Sequence, residues 1–369
     1  MDRDEQIASL RLIRTPNIGP MTCSLLLQRY GSARAALDAV PELARRGGRS
    51  LKPASRAAAT AEIEAVEAAG AKLLFKGGDD YPKALERFDD APPVLSARGT
   101  TALLSSPSIA VVGARNASIN AVRLAQTLSE QLAANGYVVV SGLARGIDTA
   151  AHNGALARGT VAVIAGGIDI QYPPENADLH DAIAESGLLL AEMPPGTQPT
   201  PRHFPIHNRI IASLALGVLV IEAAQRSGSL ITAREAGERG GEVMAVPGSP
   251  LDGRTEGCNH LIREGATLVR DIDDILECLA SPPVASLPTA KEWRDARLSL
   301  GTEKEIEASR TQILAALGAE ATDIDEIIRW CDEPVSTVLV AILELELAGR
   351  ISRHHGNRIC RIADAGTPD

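Results

Sequence analysis

The fold of this chain is decided by residues 108–167, which read SIAVVGARNASINAVRLAQTLSEQLAANGYVVVSGLARGIDTAAHNGALARGTVAVIAGG. Three short apolar runs rich in β-branched residues, at 108–113, 136–142 and 160–167, alternate in it with longer segments of helical character. Continuous apolar strands joined by crossover helices are typical of a parallel sheet covered on both faces. The stretch therefore predicts an α/β, doubly wound domain.

The same alternation continues to about residue 280. Further apolar runs lie at 187–196, 216–223, 241–248 and 266–271. The helices between the runs are expected to begin near Ala117, Ile147, Asn176, Ile206, Ser229 and Asn259. We therefore predict one domain with a mostly parallel sheet over residues 106–280.

Smaller segments lie on both sides of this domain. Residues 1–70 have apolar positions at helical spacing around the turn Asn17-Ile18-Gly19-Pro20 and predict a small helical domain. Turn-forming residues are frequent at 71–105, which we interpret as a connector, and Pro, Ser and charged residues at 281–305 indicate a linker. Residues 306–363 predict a winged-helix module with helices near 306–318, 321–332 and 335–348 and two short strands around Gly356.

Composition excludes several classes of protein. With 37 basic and 47 acidic residues the formal net charge is −10, so a general basic surface that coats duplex DNA is excluded, whereas a local basic cleft is not. The five cysteines include no C-x-x-C pair, and the N-terminus is charged. We expect neither a disulfide framework nor a zinc knuckle, no signal peptide and no membrane segment, and a cytoplasmic location.

No lysine lies between residues 84 and 290. A Walker A lysine, a kinase-type phosphate lysine and a Schiff-base lysine are therefore excluded from the central domain. Nearly every predicted strand ends in a loop that contains glycine, and arginines lie in or beside these loops. We expect an anion-binding face built from arginines, backbone N–H groups and helix N-termini.

No catalytic constellation accompanies this face. The first loop, GARNAS, lacks the dinucleotide pattern G-x-G-x-x-G, and QRSGSL does not match the G-x-S-x-G of serine hydrolases. Asp148, Glu192 and Glu222 follow predicted strands, but such carboxylates more often cap helices or orient arginines. His203, His207 and His260 form no H-E-x-x-H motif, and surface or helix-capping roles are favoured for them over metal binding. We predict a protein without a catalytic site, metal or cofactor.

A series of motifs carries a resemblance to a known family. They are VVGAR (111–115), SGLARGID (141–148), TVAVIAGGID with YPPEN (160–176), HFPIHNRIIASL (203–214), EAAQRSGSLITAREAGERG (222–240), VPGSP (246–250) and GCNHLIREGA (257–266). In this order they resemble the DNA-processing protein A family (DprA, also called Smf). Residues 1–70 resemble its SAM-like or helix-hairpin-helix-like domain, and 306–363 its winged-helix module.

The resemblance implies an extended Rossmann-like fold that binds single-stranded DNA, protects incoming DNA, forms a homodimer and loads RecA during natural transformation. With the loop residues already singled out, the candidate DNA-binding set is Arg115, Asn116, Ser141, Gly142, Arg145, Gly146, Gly166, Gly167, Arg202, Phe204, Asn208, Arg209, Ser227 and Ser229. Arginines bind phosphates, and Phe204 can stack on a base.

The sequence departs from the family at three positions. Lysines that some members carry are replaced by Pro201 and Pro174, with Arg202 nearby as a substitute charge, and the usual Arg before Asn208 is His207. The alternative function is a nucleotide-processing enzyme of the phosphoribohydrolase type, whose P-G-G-x-G-T-x-x-E pattern is absent. The last predicted helix of the winged-helix module is acidic, which disfavours contact with phosphates.

Overall fold

The structure is a computed structural model that describes residues 1–280, 302–331, 333–354 and 357–362. The predicted turn at Gly356 and nearly all of the linker 281–305 lie outside the described residues. The described chain divides into two compact units. One contains residues 1–60 and the C-terminal residues from 302 onward, and the other contains residues 61–280.

Helices are numbered here in chain order within the described residues. They are α1 (Arg3–Ile13), α2 (Pro20–Tyr30), α3 (Ala33–Arg46), α4 (Arg56–Ala68), α5 (Lys83–Glu86), α6 (Ile119–Ala134), α7 (Ile147–Ala155), α8 (Ala177–Ser186), α9 (His203–Leu214), α10 (Gly228–Glu238), α11 (Glu256–Arg263), α12 (Ile272–Ala280), α13 (Glu303–Ala316), α14 (Ile324–Cys331) and α15 (Val335–Leu347). None of these described helices is both long and apolar enough to span a bilayer.

One large sheet forms the centre of the larger unit. Its strands are β1 (Lys72–Phe75), β2 (Val94–Gly99), β3 (Ser108–Gly113), β4 (Val138–Ser141), β5 (Thr160–Gly167), β6 (Leu188–Met193), β7 (Gly217–Ile221), β8 (Glu242–Ala245) and β9 (Thr267–Leu268). Their order is β1-β2-β6-β5-β4-β3-β7-β8-β9. The pairs from β6 to β9 are parallel, and β1 and β2 add an antiparallel edge. The predicted doubly wound, mostly parallel α/β fold is thereby confirmed.

The sheet is buried on both faces because side chains alternate along its central strands. In β3, Ile109 and Val111 contribute to an apolar cluster that includes α6 and α7. The neighbouring Ala110 and Val112 contribute to a second cluster that includes α9 and α10. The continuous apolar runs of the sequence thus correspond to strands with helices on both sides.

Three sequence-based expectations need correction. The segment interpreted as a connector, 71–105, contains β1 and β2, which are too short and too closely flanked by turn formers to show a strand pattern. Helix α9 begins at His203 rather than near Ile206, because Pro205 is tolerated in a first turn, where N–H groups have no intrahelical partner. The run 266–271 forms only the two-residue strand β9.

The smaller unit joins the N-terminal helices to the C-terminal module. This module contains α13 to α15 and the strands β10 (Thr322–Asp323), β11 (Ile351–His354) and β12 (Arg358–Arg361). Leu343 and Leu347 of α15 belong to the same apolar cluster as Leu12 and Ile18 of the N-terminal helices. The last helix of the winged-helix module is therefore buried against the N-terminal domain.

Polar contacts cross the same boundary. The Asn17 side chain, in the predicted turn between α1 and α2, donates to the carbonyl of Leu347 at 3.2 Å. Arg46 at the end of α3 forms an ion pair of 2.8 Å with Glu303 of α13. Within the module, the buried Arg310 pairs with the fully buried Glu344, whose pKa is raised by burial.

Candidate nucleic-acid interface

A shallow open cleft lies at the carboxyl ends of β3, β4 and β5. Its lining residues are Arg115, Gly142, Leu143, Ala144, Arg145, Ile164, Ala165, Gly166, Ile170, Tyr172, Pro173 and Phe204. Ligands of doubly wound sheets bind at this edge, so the position agrees with the general rule for the fold.

Arg115 comes directly from the loop after β3 and is exposed. The carbon at the centre of its guanidinium group lies 4.6 Å from the centroid of the Phe204 ring. Among the described residues no carboxylate lies within 4.0 Å of this guanidinium, so the ion pair with Asp148 or Glu222 that the sequence left open is not formed. The ring orients the cation, and the exposure of Arg115 leaves its guanidinium accessible to a ligand.

Aromatic rings form one wall of the cleft. The centroids of Tyr172 and Phe204 are 6.3 Å apart with an angle of 56° between the rings, and His207 meets Phe204 edge-on at 5.5 Å. Tyr172 is 43% exposed, so its ring is accessible from solvent. Burial lowers the pKa of His207 to about 4, and its imidazole is therefore neutral at pH 7.

The loop after β4 has little room for a side chain at Gly142 and requires glycine at Gly146. A Cβ atom on Gly142 would lie 3.0 Å from the Asp148 carboxylate and 3.1 Å from His207. Gly146 has a φ of +80°, and a Cβ atom there would lie 2.2 Å from the carbonyl oxygen of Ala114. The loop after β3 and the loop after β4 therefore pack directly against each other. Arg145, in the loop after β4, is exposed, and its guanidinium lies 3.6 Å from the Glu175 carboxylate.

The loop amides that the sequence offered to an anion are already occupied. One oxygen of Asp148 accepts the N–H groups of Gly142 and Ala144 at 3.1 and 3.2 Å. Burial raises the pKa of Asp148 to about 6, although the two N–H bonds and the charge of Arg115 favour its ionised form.

The N-terminus of α6 is occupied as well. Glu222, from the loop after β7, accepts the backbone N–H and the hydroxyl of Ser118 at 2.8 and 2.5 Å. The order of the strands reverses between β3 and β7, the place where such sheets bind dinucleotide phosphates. Here the protein places its own carboxylate, so anion binding at this edge depends on arginine side chains.

The two glycines at the end of β5 have different surroundings. Gly166 lines the cleft, and a Cβ atom on it would lie 2.9 Å from the carbonyl of Thr197. Gly167 donates its N–H to the same carbonyl at 2.9 Å, and a Cβ atom on it would lie 2.5 Å from the carbonyl oxygen of Pro194. Gly166 thus borders the cleft, whereas Gly167 supports it.

Several predicted site residues have structural partners elsewhere. The buried Arg209 donates to both oxygens of Glu192 at 2.6 and 2.8 Å, because its helix turns this side chain toward β6 and away from the cleft. The buried Ser141 hydroxyl donates to the carbonyl of Val111, and the Asn208 amide to the carbonyl of Gly228.

The remaining predicted residues lie outside the cleft lining. Ser227 caps α10 by accepting the N–H of Ser229 and is hydrogen-bonded to the Ser229 hydroxyl. Asn116, the residue after Arg115, is exposed. Arg202, two residues before Phe204, is exposed as well. Of the predicted set, the residues that the structure brings together in the cleft are Arg115, Gly142, Arg145, Gly166 and Phe204.

Sequence reasoning missed Tyr172 and the apolar floor. Tyr172 begins the segment YPPEN, which resembled the family but carried no signal of its own for a site. With nine aromatic residues in the whole chain, an aromatic residue in a loop rich in proline and polar residues was a usable signal. Ile164 and Ile170 resemble ordinary core positions, and nothing local distinguishes them.

Comparison with protein families and known proteins agrees with this architecture. A model described as DNA recombination-mediator protein A matches residues 72–280, a DprA-like N-terminal HHH domain matches residues 3–65, and a DprA winged helix domain matches residues 301–357. A DNA processing protein DprA of Streptococcus pneumoniae is 50% identical over 200 residues, covering 54% of this chain and 71% of that protein. A putative DNA processing protein DprA of Mycobacterium tuberculosis is 37% identical over 350 residues, covering 92% and 85%.

Two solved structures are similar as well. The structure of DNA processing protein A from S. pneumoniae covers 75% of this chain and 98% of its own, with a TM-score of 0.65 and 38% identity. A structure of DNA processing protein A from Helicobacter pylori, described in terms of its single-stranded DNA binding mode, covers 57% and 95%, with a TM-score of 0.53 and 30% identity.

Proposed function

This chain belongs to the DNA recombination-mediator protein A family, and on that premise we propose that it binds single-stranded DNA in the cleft at the ends of β3, β4 and β5. The observation that carries the proposal is the placement of the Arg115 guanidinium over the Phe204 ring, with Tyr172 beside it. A guanidinium binds phosphate, and accessible rings stack on bases. Only a single strand offers both partners at one site.

The electrostatics support a local site rather than a general DNA-binding surface. The formal net charge of the chain is −10, but positive charge is concentrated at the cleft. Arg115 and Arg145 line it, and Arg202 lies two residues before the lining residue Phe204. Proteins bind duplex DNA chiefly through many contacts to its phosphates, and the negative charge of an acidic protein repels those phosphates. We therefore expect a preference for single strands that is sensitive to salt.

We propose binding without catalysis. The enzymatic alternative, a phosphoribohydrolase, needs a phosphate site made of loop amides and a helix N-terminus. In this chain Asp148 accepts two of the loop amides and Glu222 accepts the N–H of Ser118 at the start of α6, so a nucleotide phosphate at these groups would have to displace a carboxylate. Release of free base from a panel of nucleoside monophosphates would favour the enzyme instead.

The direct test is a titration of the full chain with a short labelled oligonucleotide and with its duplex, at several salt concentrations. We expect tighter binding of the single strand, with log K falling by about 0.7 for each phosphate neutralised, per tenfold rise in salt. Equal or tighter binding of the duplex at low salt would overturn the proposal.

Family membership extends the proposal to partners. We propose that the chain acts as a homodimer in the cytoplasm, protects incoming single strands and loads RecA on them. Nucleation of RecA filaments on a single strand, measured with and without this protein, tests the second partner, and sedimentation analysis tests the dimer. Unchanged nucleation at saturating protein would restrict the function to binding.

A further inference from the structure

The loop after β4 has a conformation that its own residues do not favour. Residues 142–145 line the cleft, and Leu143 within them has a φ of +56° with its side chain fully buried. A left-handed backbone is uncommon for a residue other than glycine and persists when the surrounding structure determines it. Neighbouring groups must therefore hold this part of the cleft wall.

The amide side of the loop is held by α7. Asp148, in the first turn of that helix and 8% exposed, accepts the N–H groups of Gly142 and Ala144 with a single oxygen. Because Asp148 is itself buried, both N–H groups are bonded from the interior of the protein. The carboxylate therefore fixes the loop from below.

The carbonyl side is held by two further side chains. The Asn176 amide, 7% exposed, donates to the carbonyl of Leu143 at 2.9 Å and to that of Ala144 at 3.3 Å. The Thr149 hydroxyl donates to the carbonyl of Ala144 at 2.8 Å and accepts from Asn176 at 2.9 Å. The three side chains thus pair the inner polar groups of residues 142–144.

We propose that Asp148, Thr149 and Asn176, the loop clamp, position the cleft wall for the strand of DNA without touching it. None of the three lines the cleft. Asn176 ends the short segment that brings Tyr172 and Pro173 to the opposite wall, so the clamp ties the two walls together. An ordered loop lowers the entropy cost of binding. This inference rests on the proposed binding of single-stranded DNA.

The test is a Thr149→Val variant of the full chain. Valine keeps the shape of threonine and removes only the hydroxyl, so the Ala144 carbonyl and the Asn176 amide each lose a partner. The conservative variant Thr149→Ser restores the hydroxyl. A matched control is Thr255→Val, because the Thr255 hydroxyl binds the carbonyls of Ser249 and Asp252 in another loop of the same unit.

We expect Thr149→Val to weaken binding of a single-stranded oligonucleotide by about fivefold to tenfold, and Thr149→Ser to recover most of that loss. The dependence of log K on log salt should stay nearly unchanged, because the variant removes no charged side chain. Thr255→Val should lower the melting temperature to a similar degree and leave the affinity unaltered. Asn176→Asp, which places a carboxylate against two carbonyls, should weaken binding further.

Three results would overturn the clamp. Wild-type affinity in Thr149→Val would show that the hydroxyl does not position the wall. A failure of Thr149→Ser to recover the loss would show that binding does not require the hydrogen bonds of this hydroxyl. An equal loss of affinity in Thr255→Val would reduce the effect to general stability. If the wild type fails to bind single strands, the proposed function is wrong. If the wild type binds and Thr149→Val binds equally well, only the proposal of the loop clamp is wrong.

Discussion

Arg115 is the residue on which the proposed interface most depends. Its guanidinium rests on the Phe204 ring and, among the described residues, has no carboxylate within ion-pair distance. We expect Arg115→Ala to weaken single-strand binding by about 10- to 150-fold through loss of charge-assisted hydrogen bonds, and to reduce the salt slope by about 0.7. Arg115→Lys should recover binding only in part, because an ammonium group lacks the planar fork.

The measurement is oligonucleotide affinity and melting temperature on the same preparations. A matched control is Arg158→Ala, since Arg158 is also exposed but lies just before β5, at the opposite edge of the sheet. An unchanged affinity in Arg115→Ala together with a clearly lower melting temperature would mark Arg115 as a structural residue.

Asp148 makes a prediction about pH. Burial raises its pKa in the folded protein to about 6, above the usual value of 3.8, so between these values the folded state holds the proton more tightly than the unfolded state. Its contribution to stability is therefore lost as pH rises from about 4 to about 6 and stays lost above that. Asp148→Asn keeps an oxygen acceptor for the loop amides and removes the cost of burying an ionised carboxylate. We expect it to raise the free energy of unfolding by roughly 1–3 kcal/mol at pH 7.

The measurement is denaturant unfolding of the wild type and of Asp148→Asn across pH 4–7. The quantity compared is the difference between their free energies of unfolding at each pH. The comparison is needed because buried His152 and His207 act in the opposite direction: burial lowers their pKa values to about 3 and about 4, so they cost stability as pH falls below 6.5. A difference in unfolding free energy that does not grow with pH would contradict the prediction.

At the scale of elements, the contact between α3 and α15 decides what the winged-helix module can do. Gly47, the residue after α3, packs so closely on α15 that a Cβ atom would lie 2.0 Å from the carbonyl oxygen of Glu344. Its φ of −70° is open to any residue, so the requirement for glycine is purely one of space. Because helix backbone cannot yield cheaply, we expect Gly47→Ala to destabilise the smaller unit by about 1–3 kcal/mol.

A melting experiment that resolves the two units checks this expectation. Gly318→Ala is the control, because a Cβ atom on Gly318 would lie 4.0 Å from the backbone nitrogen of Glu320 and its φ is not in the left-handed region. If both variants melt like the wild type, the close packing of α3 on α15 does not contribute to stability. Single-strand affinity should stay unchanged in both, since the cleft residues belong to the other unit.

The same contact explains why the winged-helix module is a poor candidate for reading DNA. In many winged helices the last helix enters the major groove. Here nearly all of α15 is buried, and two of its leucines belong to the apolar cluster of the N-terminal domain. Arg353 on the wing is held by Glu346 at 3.2 Å. The face that such helices present to DNA is therefore covered within the smaller unit.

For the whole molecule, deletion of residues 300–369 separates the roles of the two units. We expect single-strand affinity to stay within about a few-fold, because every residue that lines the cleft lies between 115 and 204. We also expect the N-terminal helices to lose protection from proteolysis and hydrogen exchange, because Leu12 and Ile18 lose the cover of Leu343 and Leu347. A loss of affinity above about a hundredfold, more than 2.7 kcal/mol, would make the module the DNA binder.

Much of this architecture follows from local patterns in the sequence. The apolar runs at 108–113, 160–167 and 216–223 predict buried parallel strands because burial on both faces requires continuous apolar residues. Pro20 after Gly19 predicts the start of α2, and the structure begins that helix at Pro20. Arg115 was expected at the sheet edge because it follows directly on a strand. These features depend on spacing within a few residues.

The partners of the polar side chains were decided by the tertiary structure alone. Arg209 binds Glu192, Glu222 binds Ser118 at the start of α6, and Phe204 meets Tyr172 from another loop. Each of these contacts joins segments that are distant in the chain, and the sequence pattern on either side is compatible with several partners. Helix and strand periodicity is a local property of the backbone, whereas the pairing of charges and rings depends on which loops the strand order brings together at one edge of the sheet.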